Sequence, residues 1–141
     1  MSTYYRILKW SLLAGALYFF GVAAAHMLQV KVPVLFIYFN VPTNPYQDRI
    51  ISFLAFGWAV FLFTASTDPQ RQTALMQAVL TAGAGALLGL AVTNLTTDFA
   101  AIAPAVNPAV FWLETAGLVV YWLWLVAFYT LARARRAGQP G

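Results

Sequence analysis

The stretch TALMQAVLTAGAGALLGLAVT, from Thr73 to Thr93, decides how the chain is read. Taken in steps of four it gives Thr73, Gln77, Thr81, Gly85, Gly89 and Thr93. On a helix these positions stack into one inclined ridge. Each is small or polar, and the stretch has no aromatic residue. In a helix that crosses lipid, such a ridge lets a neighbouring backbone come close. The expectation is a packing helix that the rest of the chain wraps, with Gln77, Thr81, Gly85 and Gly89 at the contact. The rival reading is a seam between two copies of the chain. Gly85-x-x-x-Gly89 alone is a weak signal, since apolar glycine-rich stretches match it by chance. The whole ridge is more specific.

Three further apolar runs flank this one, at 10–30, 50–66 and 110–131, and all three are rich in aromatic residues. A membrane span needs about 20 apolar residues at about 1.5 Å rise each. The second run is slightly short, but its first turn can begin near Tyr46. Of 141 residues, 62% are hydrophobic and 9% are charged. A soluble domain carries about a quarter charged residues, so this chain has too few to coat a water-facing surface. The first run is read as a retained span, because no polar cleavage region follows it. The absence of cysteine excludes disulfides, thiolate nucleophiles and cysteine-ligated clusters.

The net charge of +4 points to topology and not to nucleic acid. Arg6 and Lys9, then Arg71, then Arg133, Arg135 and Arg136 would share one side of a four-span chain, leaving Lys31 and Arg49 on the other. The excess of basic residues puts both termini in the cytoplasm. The expected fold is therefore all-α, a single integral membrane domain forming an up-down bundle of four transmembrane helices, N-in and C-in. It belongs in a plasma or inner membrane.

Helix boundaries come from a repeated start signal. Asn44-Pro45, Asp68-Pro69 and Asn107-Pro108 each set an Asx cap before a proline suited to the first helical position. Gln47 completes a capping-box pattern behind Asn44. Ser2 or Thr3 would cap the first helix. The expected helices are about 4–30, 45–66, 69–94 and 108–134. Between the first two, Pro33 and Pro42 bracket the apolar segment Val-Leu-Phe-Ile-Tyr-Phe-Asn, too short to span. It is expected as a short interfacial segment, extended or helical, lying flat on the outer end of the bundle. Deep insertion would require protein around it. Asp98 would open a short helical turn stopped by Pro104.

Chemistry is sparse. Glu114 is the single acidic residue inside an apolar run, and His26 is the single histidine. An ionisable group in a span is costly and usually faces the bundle interior or a watery cavity. With the first and fourth helices adjacent, His26 and Glu114 would pair near the outer leaflet, beneath Asp98. Tyr18 and Gln29 share a helical face with His26, and Tyr121 shares one with Glu114. These six residues are the candidate ligand or proton site. One histidine and a few carboxylates are a poor set for a transition metal, and one histidine cannot give a haem two axial ligands within one subunit. No metal and no cofactor are expected.

Three functions fit. The first is an accessory or assembly subunit, or a lipid-facing binding module with a polar pocket near the outer leaflet. Phe53, Phe56, Trp58, Phe61 and Phe63 on the second run, and Trp112, Trp122 and Trp124 on the fourth, would meet lipid or partner helices. Its partners would be membrane lipids, a larger membrane-protein complex or a homo-oligomer, and no nucleic acid. The second is a proton-coupled small transporter using Glu114. The third is a membrane enzyme acting on an amphipathic substrate through His26 and Glu114, which leaves the catalytic assignment open.

Overall fold

A computed structural model describes residues 3–137, the side chains of 136 and 137 aside. Ser2 and the Arg136 side chain thus lie outside the described residues. The described chain is helical throughout, with turns between. The elements are α1 (Thr3–Leu28), α2 (Pro45–Thr67), α3 (Thr73–Thr96), the short α4 (Phe99–Ile102) and α5 (Pro108–Ala137). Four of these helices are long and apolar enough to cross a membrane: α1, α2, α3 and, over Pro108–Arg135, α5.

Two of the three Asx-Pro signals mark helix starts. Asn44 N–H donates to Gln47 Oε1 at 3.2 Å, and α2 begins at Pro45. Asn107 Oδ1 accepts from Ala109 N–H at 3.1 Å, and α5 begins at Pro108. The third does not. Asp68 Oδ1 accepts from both Gln70 and Arg71 N–H, each at 3.2 Å, and its carbonyl accepts from Arg71 and Gln72. That folds 68–72 into a closed turn, so α3 starts at Thr73 and not at 69. At the end of α1, Gln29 adopts φ 56° and Val30 N–H reaches back to Ala25 O at 2.9 Å. This is a Schellman cap with glutamine in the place glycine usually takes.

The small-residue ridge of α3 turns outward, a correction to the expected packing helix. Gln77, Thr81, Gly85 and Gly89 are exposed, and a Cβ added at Gly85 or Gly89 would meet nothing within 4 Å. The opposite stripe, with Met76 and Val79 buried and Leu80 packed behind them, faces the bundle. Large hydrocarbon gains more from burial than glycine does, so the bulky side of α3 turns inward. The closest helix pair is α1 with α2, and α2 supplies the small stripe there: Ser52, Ala55, Ala59 and Ala65 are all buried.

The main core joins the first half of α1 (Tyr5, Leu8, Leu12), the end of α2 (Leu62, Ala65), the start of α3 (Met76, Val79) and the end of α5 (Leu125, Tyr129, Ala132). The α5 aromatics stitch it together. Tyr121 donates to Ser11 O at 2.9 Å, Trp122 to Leu80 O at 2.8 Å and Trp124 to Ser11 Oγ at 2.9 Å. Trp122 and Trp124 therefore bind neighbouring helices as well as covering surface. Gly15 admits the Tyr121 ring and Gly83 admits the Trp122 indole, where a Cβ would collide with each. Arg135 and Arg133 rest over the Tyr4 and Tyr129 rings, at 5.1 and 5.7 Å.

Gly15→Ala should displace the Tyr121 hydroxyl from Ser11 and lower stability by about 1–2 kcal/mol. Gly85→Ala should leave stability unchanged or raise it by about 0.5–1 kcal/mol. Unfolding midpoints in mixed detergent, compared side by side, check the contrast.

Candidate functional site

The segment joining α1 to α2 does not lie flat on the bundle. It folds inward as a series of turns, carried by Phe36 N–H to Val32 O (3.0 Å), Phe39 N–H to Phe36 O (3.1 Å) and Val41 N–H to Tyr38 O (2.9 Å). Phe36 is 3% exposed, so protein surrounds the inserted part. This replaces the expected interfacial strand or helix. A run of apolar side chains had to be buried, and the gap among α1, α2, α3 and α5 takes them.

Three side-chain fastenings hold the plug. The first grips Val34, whose N–H donates to Glu114 Oε1 at 3.2 Å while its carbonyl accepts from Tyr18 OH at 2.7 Å. Val34 has φ 73°, a left-handed conformation that costs a β-branched residue about 1–3 kcal/mol. One side chain from α1 and one from α5 thus clamp a strained peptide. The second fastening is a stack of Phe36 on the His26 ring, centroids 3.6 Å apart. The third is Tyr38, which donates to Asn94 Oδ1 at 2.8 Å. Asn94 Nδ2 donates in turn to Thr115 Oγ1 at 3.1 Å. Burial pushes the Tyr38 phenol above its ordinary range, which keeps it a donor.

His26 does not pair with Glu114. Its Nδ1 lies 3.3 Å from Asp48 Oδ1, and Thr43 donates to Asp48 Oδ2 at 2.9 Å. His26 and Asp48 are both buried, at 7% and 3% exposure. Asp48 sits in the first turn of α2, where the helix dipole favours a carboxylate. The signal was present in the sequence: helices adjacent along the chain usually pack together, and Asp48 is one turn into the next span.

The other expected site residues divide in the same way. Tyr18 and Tyr121 stand with Glu114 around one chamber of about 520 Å³ between α1 and α5. His26 is absent from that chamber and lines a second hollow of about 480 Å³ with Asp48 and Thr43, reached between α2 and α3. Tyr18 of α1, Ile37 of the plug and Leu118 of α5 line both spaces, so they form the partition. A third hollow, about 170 Å³, is lined by no acidic or basic side chain. Gln29 is exposed and ends α1, outside the site. Asp98 is exposed and caps α4 by accepting from Ala101 N–H at 3.1 Å.

The chamber between α1 and α5 is walled mainly by hydrocarbon and glycine, and exposed Ala14, Leu113 and Gly117 form part of its lining, so it opens sideways. Two buried polar side-chain atoms among the described residues have no hydrogen-bond partner: the Tyr129 hydroxyl oxygen, in the main core, and Glu114 Oε2. Among the described residues no three His, Asp or Glu side chains come close enough to hold a metal ion. Comparison of the chain with family models, with curated proteins and with solved structures finds no match. Fold and site together describe a multi-pass helical bundle whose inter-helix loop forms the roof of a side-opening chamber.

Val34→Gly keeps both backbone bonds and removes the strained Cβ, so it should raise stability by about 1 kcal/mol. Asp48→Ala leaves His26 buried without its partner and should lower stability by about 1–3 kcal/mol. Unfolding midpoints measure both. Protease cleavage within 30–44 should quicken in the Asp48 variant alone.

Proposed function

We propose that the chain is an integral membrane binding module. It takes an amphipathic molecule sideways from the lipid into the chamber between α1 and α5. The single observation that carries this reading is Glu114, an acid with one oxygen left without a hydrogen-bond partner, in the lining of a largely apolar chamber. A buried carboxylate oxygen without a donor costs free energy, and a ligand that supplies the donor recovers it. Ligand sites are commonly apolar hollows of about 300–1,000 Å³ with a few polar groups that fix orientation.

The bundle runs up and down with both termini in the cytoplasm, as the distribution of basic residues supports. The plug and chamber then lie toward the outer leaflet. Glu114 and Tyr18 serve twice: they hold the roof and they face the ligand. His26 and Asp48 brace the roof from the opposite side. An assembly role is the second reading, favoured by the exposed small face of α3, where another helix would approach closely.

Gly117 lines the chamber, and a Cβ there would meet nothing within 4 Å. Gly117→Leu should therefore fold normally and fill the space. Purified in mild detergent and weighed by native mass spectrometry, the unmodified chain should retain a small amphipathic molecule that the variant has lost. A co-purifying membrane protein held equally by both chains, with no small molecule in either, would favour the assembly role.

A further inference from the structure

We infer that the molecule held in this chamber is an amphipathic amine: a protonated primary or secondary amino group on a hydrocarbon body, with the ammonium against Glu114. The inference rests on the binding role proposed above and adds the chemistry of the head group.

It follows from counting hydrogens. Around the chamber, the Val34 N–H is already given to Glu114 Oε1. The Tyr18 hydroxyl has one hydrogen, and Val34 O takes it. The Tyr121 hydroxyl has one hydrogen, and Ser11 O takes it. With Glu114 ionised, what remains are acceptors: the Glu114 carboxylate, whose Oε2 has no partner, and the lone pairs of the two phenol oxygens. The other side chains around the chamber are aliphatic or absent, and no lysine or arginine lines it.

An acceptor-only site selects its ligand by sign. A carboxylate or phosphate head would meet a carboxylate with no donor between them, and would be rejected by repulsion and by lost hydration. A hydroxyl head could give the carboxylate one neutral hydrogen bond. An ammonium gives it a charge-assisted bond, roughly twice as strong, and has further hydrogens for the oxygen of Tyr18, which holds Val34 together with Glu114. It also supplies the counter-charge that a buried acid otherwise lacks. The opening at Ala14, Leu113 and Gly117 leaves room for the hydrocarbon body to extend outward from the chamber.

The test uses the full chain in nanodiscs of zwitterionic lipid, with radiolabelled dodecylamine, dodecanol and dodecanoate at neutral pH. Empty nanodiscs correct for partitioning. Dodecylamine should bind saturably, about tenfold or more tighter than dodecanol, and dodecanoate should show no saturable binding. Glu114→Gln should bring the amine down to the affinity of the alcohol, while Gly117→Leu should abolish binding of both. Equal binding of amine and alcohol, or preferred binding of dodecanoate, overturns the ammonium assignment and leaves the chamber's binding role intact. Saturable binding of none of the three overturns both. The comparison of head groups on the unmodified chain decides the question even where Glu114→Gln fails to fold.

Discussion

An irregular segment buried among helices must find partners for its backbone without help from a ladder or from water. That constraint governs the loop end of this bundle. The turns at 32–41 satisfy part of the plug internally. The Val34 peptide is left over, and both its N–H and its carbonyl are satisfied by side chains of different helices. An acid in the middle of an apolar run becomes intelligible on this view. Glu114 supplies the acceptor that an inserted peptide requires, and its Oε1 is committed to that task. Tyr18 supplies the matching donor. Val34 itself stays exposed at the edge of the chamber, so the two groups pin the segment there while Phe36 goes in.

The same constraint explains why the two ends of the molecule differ in texture. Where Tyr5, Leu8, Leu62, Met76 and Leu125 meet, regular helices bury regular side chains and the core closes. Toward the plug, α1 and α5 are held apart by a segment that is not helical, and small residues such as Ala14 and Gly117 do not refill the space. Tyr121, Trp122 and Trp124 stand between these regimes. Each sends one hydrogen bond to another helix, so α5 is tied to α1 and α3 just below the chamber. α5 is the strut that ties α3 to α1, while α2 packs chiefly on α1.

Much of the architecture was legible. Hydropathy located the four long helices, and Asn44-Pro45 and Asn107-Pro108 marked two of their starts. Asp68-Pro69 misled because an Asx cap and an Asx turn use the same side-chain acceptor, and only the next residues distinguish them. The ridge of α3 misled for another reason. Small residues permit close approach but do not compel it, whereas the bulky stripe of Met76, Val79 and Leu80 on the opposite face has a positive reason to be buried. The equivalent stripe on α2, from Ser52 to Ala65, was hidden by the phenylalanines around it. The site was legible as a set of residue types and not as pairs. His26 and Glu114 both contact the plug, but from opposite sides of it. Which carboxylate the imidazole meets depends on a loop conformation that no periodicity encodes.

Glycine in a membrane-length helix has two separate uses, and this chain contains both. Gly15 and Gly83 each make way for a specific ring, and the ring is the reason for the glycine. Gly117 makes way for nothing in the chain. On the same helix, one turn earlier, Glu114 carries an oxygen for which the chain provides no donor. Empty volume beside a hydrocarbon wall is costly unless something fills it, and a buried acceptor is costly unless something donates to it. Gly117 and Glu114 line the same chamber, and the proposed occupant, with an apolar body and a donor at its end, would answer both. Val34 accounts for Oε1 of Glu114; the proposal concerns the rest of the carboxylate.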